Sequence, residues 1–191
     1  MIENPPKIHC ITENVCRYFI QKANEKGIII DDFKMHVLMY YTQAYHLVHF
    51  NFPLFEDFFK AAYYDGPIFE YFTSEAETVN KKDSTSLYSK YNTPALQTEK
   101  INFEPDLLSL LDAIFDNYAV LSSEELHERI VKDLPLREAY EKLRTSNPNH
   151  LKGKAMYRIS IDTMKSFYTQ DLEDYKLLLA LGKRGDILFN E

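Results

Sequence analysis

Residues 33–50 constrain the fold more than any other stretch of the chain. Phe33, Val37, Tyr40, Tyr41, Ala44, Tyr45 and Val48 recur at helical spacing, yet they cover more than one stripe. A helix that is apolar around most of its girth needs neighbours on several sides. It therefore belongs at the centre of a helical domain. The material to surround it is present: 14 Tyr and 13 Phe, with no Trp, in 191 residues of which 45% are hydrophobic. That aromatic load excludes a disordered chain, and 5 Gly with 8 Pro exclude collagen-like and low-complexity designs. The length suits one globular domain with a real core.

The flanking periodicity supports the same class. Thr12 can cap a helix carrying Val15, Phe19 and Ala23 on one face, and Gly27 stops it. Asp31 and Asp32 then supply cap oxygens and negative charge to the central helix. Residues 53–61 form a short aromatic-rich connection, helical or extended. Tyr63-Tyr64-Asp65-Gly66-Pro67 is a turn signal, followed by a short helix expected from Ile68 to about Glu77. Residues 78–102 are polar and read as a long surface loop or insertion.

Leu107, Leu108, Leu111, Ile114, Phe115 and Tyr118 predict an amphipathic helix after Pro105. Ser122-Ser123-Glu124-Glu125 is a capping box opening another. Pro135 begins a further helix, residues 145–154 are a polar loop, and a last helix covers 162–181 before Gly182. Tyr157 to Ile161 alternates like a strand. The expectation is a mainly α, single compact multi-helix domain with at most a small β element near 53–68 or 157–161. Its bounds are a tail at 1–11, the domain at 12–181 with its insertion at 78–102, and a tail at 182–191.

Charge narrows the function classes. With 22 Lys+Arg against 29 Asp+Glu the net charge is −7. The basic residues are scattered, the densest group being Lys152, Lys154 and Arg158, with Lys183 and Arg184 far behind. General nucleic-acid binding needs a basic face and is disfavoured. An acidic surface fits a soluble protein, or one whose partner is basic. The first residues, Met1 to Pro6, have no basic or apolar leader region, and no stretch approaches the ~18 apolar residues of a membrane span. The default compartment is the cytoplasm. Cys10 and Cys16 are six apart, about 9 Å along a helix, so they read as thiols rather than a disulfide.

Chemical motifs are sparse. His36, His46 and His49 share one helix, and the last two have a ligand-capable i, i+3 spacing. No zinc pattern surrounds them, and a nucleophilic Cys16 has no local signature. Phosphate-cradling and nucleophile-elbow glycine motifs are absent. The expectation is no enzyme, no metal and no cofactor. What stands out is polarity on the central helix. Lys34, Gln43 and His46 interrupt an apolar surface, and a buried polar group costs about 1–3 kcal/mol unless paired. They are either paired inside the fold or turned to a partner. The Gly-Pro turn belongs at the surface, and Tyr63 and Tyr64 cannot both be buried easily. Candidate partner-binding residues are therefore Lys34, Tyr41, Gln43 and His46 on the helix with Tyr63, Tyr64, Asp65, Gly66 and Pro67 of the turn.

The Lys-x-x-x-Leu-x-Tyr-Tyr-x-Gln-x-x-His run at 34–46 resembles the opening signature of the Panacea domain, also known as phage-associated GepA-like or SocA-like. Further features follow in order. Pro53-Leu54-Phe55 resembles a Pro-Leu-Phe turn, and Ala62 to Ile68 a Trp-x-x-Gly-Pro-Val motif. Leu111 to Tyr118 with Leu121-Ser122-x-x-Glu125-Leu126 resembles the late helix pair, and Ile161 to Tyr168 the final segment. The resemblance spans about 11–170. Departures are Val37 in place of a second Lys, and Tyr45, Tyr63 and Leu136 in place of Trp. The resemblance implies an antitoxin of a bacterial or prophage toxin–antitoxin pair that neutralises a cognate toxin by protein–protein contact. One branch delivers its client to a ClpXP-type protease. It implies no cofactor, no catalytic residue and no membrane; a homodimer is left open.

Overall fold

The computed structural model describes residues 11–62, 66–73, 87–146 and 156–180. α1 spans Ile11–Lys26 and α2 spans Asp32–Phe50. Two strands follow, β1 at Phe59–Ala62 and β2 at Gly66–Phe69. Two short helices, α3 at Leu87–Tyr91 and α4 at Pro94–Thr98, precede α5 at Pro105–Ile114. α5 runs into one turn of π-helix at Phe115–Ala119. Then come α6 at Ser123–Ile130, α7 at Leu134–Ser146, β3 at Met156–Arg158 and α8 at Ile161–Ala180. The fold is mainly α with a small three-stranded antiparallel sheet ordered β2-β1-β3.

The girth argument for α2 holds. From Lys34 to Leu47 almost every side chain is buried, and α1, α5, α6, α8 and β2 all pack against it. Its ends are fixed by local chemistry. Asp31 caps the start, its Oδ1 accepting from the Lys34 N–H at 2.7 Å. Asn51 ends it in the left-handed region, φ 67°, with its N–H on the Leu47 carbonyl. The capping box at Ser122 is formed in both directions: the Glu125 N–H donates to Ser122 Oγ at 3.1 Å, and the Ser122 N–H to Glu125 Oε2 at 2.7 Å.

Three readings change. Thr12 lies buried inside α1 rather than capping it. Ile68 and Phe69, expected in a helix, are in β2; residues 70–73 are helical, and the rest of the expected span, 74–77, lies outside the described residues. Strand pairing wins there because Phe69 sits opposite Phe59 in register, their rings stacked at 4.5 Å and 11°. The described part of the polar 78–102 segment holds α3 and α4. Both pack on α1. Arg17, which is 2% exposed, pairs at 2.8 Å with Glu99 just past α4, and Gln21 Nε2 donates to the Leu96 carbonyl of α4 at 3.0 Å. Gln97 Nε2 of α4 donates to the Tyr91 carbonyl of α3 at 3.2 Å. Helices this short cannot persist alone, so the α1 contacts hold them. Cys10 lies outside the described residues, and Cys16 is a buried thiol. No helix among the described residues is long and apolar enough to cross a membrane.

Candidate functional site

The polar residues of α2 resolve into one device. Each reaches backbone outside α2: a π-helical turn, an edge strand or the connection after the helix. Lys34, 8% exposed, extends its amine to the Ala119 carbonyl at 3.2 Å, the last residue of the π-helical turn. A cation there complements the negative end of that helix. His36 Nδ1 accepts from the Phe69 N–H at 3.0 Å and so binds edge strand β2 to the helix. Gln43 Oε1 accepts from the Leu54 and Phe55 N–H groups, both at 3.0 Å, and its Nε2 donates to the Phe55 carbonyl at 3.3 Å. His46 Nδ1 lies 2.9 Å from the Phe52 carbonyl, with the ring stacked on Phe50 at 4.4 Å. Backbone groups that the helix and sheet ladders leave over need partners, and these side chains supply them.

The imidazoles carry a thermodynamic mark of this role. Burial lowers the His36 pKa from 6.5 to about 4, because the charged form would lose water and the Phe69 N–H. Burial also lowers that of His46, with the Phe52 carbonyl opposing and His49 adding to the shift. His36 is a backbone anchor. The signal that could have found it is the pairing of an apolar helix with nearby Pro- and Phe-rich connections that have few hydrogen-bond partners of their own. Among the described residues no group of three His, Cys, Asp or Glu side chains is placed to hold a metal. Cys16 Sγ lies 3.9 Å from Met39 Sδ, inside the core.

Tyr41 belongs to a different construction. Its ring stacks on Tyr118 at 3.9 Å, and Tyr40, Tyr41 and Tyr45 all present edges to Tyr168. Tyr45 OH meets Tyr118 OH at 3.1 Å and donates to Asp171 at 3.3 Å; Tyr168 OH donates to Asp133. Tyr45, standing where the resemblance expects Trp, thus gives its hydroxyl a use that binds α8 to α2. Burial pushes the Asp133 carboxyl up to about 7; the Tyr168 hydroxyl opposes that rise and the charge of Asp171 adds to it.

Gly66 and Pro67, expected at the surface, are buried. Gly66 has φ 77°, and a Cβ there would meet Phe33 Cε2 at 3.0 Å and Ile130 Cγ2 at 3.7 Å. The glycine is required both by its conformation and by the approach of the α2 start. Pro67 is tolerated because β2 is an edge strand. Tyr63, Tyr64 and Asp65 lie outside the described residues. Lys34, Tyr41, Gln43 and His46 are buried as well, the last three at 3%, 1% and 3% exposure. They do not converge on one patch: Lys34 and Gly66 stand at the start of α2, Gln43 and His46 at its end.

Sequence reasoning missed the concave surface beside Gly66. Phe33, Ser123, Glu124, His127 and Glu128 line an open depression of about 430 Å³ between the first turn of α2 and α6. Its walls are tied together. Asp31 Oδ2 accepts from Ser123 Oγ at 2.6 Å, the capping box fixes the α6 end, and the Phe33 and His127 rings lie 6.0 Å apart.

No curated protein and no solved structure matches the chain. The sequence model of one family, "Antitoxin SocA-like, Panacea domain", matches residues 37–133, from inside α2 through the π-helical turn and α6 to Asp133. The match covers about half of the chain, so the chain belongs to the antitoxin SocA-like Panacea domain family.

Proposed function

We propose that this protein neutralises a cognate bacterial or prophage toxin by direct protein–protein contact. The observation that carries the reading is the family membership. Two physical features support it. The chain is acidic, with a net charge of −7, which favours a basic protein partner over nucleic acid. Cys16 is buried in the core, and His36 and His46 each bind backbone through Nδ1, which gives these side chains a structural use. In this reading the protein is a non-catalytic helical unit over 12–181 that acts in the cytoplasm. The contact surface is the 63–67 segment, and polar residues of α2 hold its neighbours: β2 through His36 and residues 52–55 through Gln43 and His46.

The test is growth. The product of the adjacent reading frame is induced alone and together with this protein. Arrest by the neighbour alone and growth on co-expression are expected. A harmless neighbour, or one that stays lethal in the presence of this protein, overturns the reading.

A further inference from the structure

We infer that the depression between Phe33 and α6 is the seat for a basic segment of the toxin that carries one apolar side chain. The inference rests on the antitoxin reading and adds to it a place and a partner chemistry. The floor is apolar and aromatic, formed by Phe33 against His127. An aliphatic or aromatic side chain gains there by leaving water.

The rim decides the sign of the partner. Several carboxylates cluster at this end, but most are engaged internally. Asp31 binds the Lys34 N–H and Ser123 Oγ, Asp32 binds the Leu87 N–H, and Glu125 binds the Ser122 N–H. The two that remain on the rim are Glu124 and Glu128, one helical turn apart on α6 and both exposed. A lysine or arginine beside the apolar anchor would meet both carboxylates. Lys34, the cation nearest in sequence to Phe33, is turned inward to the Ala119 carbonyl and does not neutralise them.

Preorganisation strengthens the case. The capping box, the Asp31–Ser123 bond and the Gly66–Phe33 approach fix three sides of the depression before any partner arrives. Little side-chain ordering is then left to oppose binding. The loops on either side of the Asp31–Ser123 bond also expose apolar residues, Ile29 at 81% and Val120 at 56%. They widen the apolar ground around the seat.

The experiment uses the full chain and a catalytically dead form of the toxin encoded next to it. Affinity is measured by calorimetry for the wild type, for Glu124→Lys with Glu128→Lys, and for Glu56→Lys. Glu56 is an exposed carboxylate beyond the far end of α2 and serves as the charge control. The double reversal is expected to weaken binding at least tenfold, and Glu56→Lys less than twofold. Melting curves check that all three fold. A toxin that binds wild type and double reversal within twofold of each other overturns the seat and leaves the antitoxin reading standing. A toxin that does not bind the wild type removes both.

Discussion

The two ends of α2 are built from the same kinds of residue and do opposite things. At the far end Gln43 and His46 turn inward, and the backbone of residues 52–55 closes over them. Nearby, the Tyr45 hydroxyl meets Tyr118 and Asp171, the Tyr168 hydroxyl meets Asp133, and the Tyr41 ring stacks on Tyr118. At the near end Lys34 also turns inward, but Phe33 and the first turn of α6 leave a hollow rimmed by Glu124 and Glu128. One end has been closed by its own chain and the other has not. Polar residues on this central helix mark where backbone outside it must be held. In the proposed reading the partner's seat lies beside the segments they hold.

The comparison breaks most visibly at Gln43. Gln43→Ala removes three hydrogen bonds to buried backbone and should cost about 3 kcal/mol. A shift of the urea midpoint corresponding to less than about 1 kcal/mol would mean that the far end is not closed in this way. Toxin affinity of the folded fraction should not change.

Next in size are two opposed pH dependences. The folded-state pKa of His36 is lowered from 6.5 to about 4. Its contribution is thus complete above the unfolded value and is lost as pH falls toward 4, by at most about 3 kcal/mol. That of Asp133 is raised from 3.8 to about 7, so folding favours its protonated form and stability drops as pH rises across the same window. His36→Asn keeps an acceptor for the Phe69 N–H and should leave stability falling with pH between 4 and 7. Asp133→Asn should leave it rising. Denaturant titrations at several pH values read both slopes, and a pair of variants with identical profiles would refute the assignment.

A smaller effect is expected at the near end. Gly66→Ala places a methyl group 3.0 Å from Phe33 Cε2 at a positive φ. It should cost about 1–2 kcal/mol and press Phe33 into the hollow, weakening toxin binding beyond the loss of stability. Equal stability with unchanged affinity would separate the turn from the seat. Smallest of all is the change in stability from Glu124→Lys with Glu128→Lys, within about 0.5 kcal/mol because both are exposed.

Much of this was legible in the sequence where local chemistry decides. The girth of α2, the Ser122–Glu125 capping box and the helix after Pro105 are written in short-range spacing. The ordered motifs carried the family. The structure departs where distant partners decide. Phe69 joins a strand because Phe59 lies across from it, α4 forms against Arg17 and Gln21 of α1, and α3 packs on the same helix. Gly66 announced a turn, but its burial against Phe33 depends on a residue in another element, well back along the chain. The hollow itself is assembled from α2 and α6, some ninety residues apart, and no periodicity within either helix signals it.

The most direct test of the account is a double-mutant cycle across the proposed contact. Glu124→Lys with Glu128→Lys is combined with reversal, to Glu, of the toxin's lysines or arginines one at a time. Direct contact at this seat predicts that one toxin reversal recovers at least about 1 kcal/mol of the binding lost, and restores growth on co-expression. Strictly additive losses for every toxin reversal would contradict it.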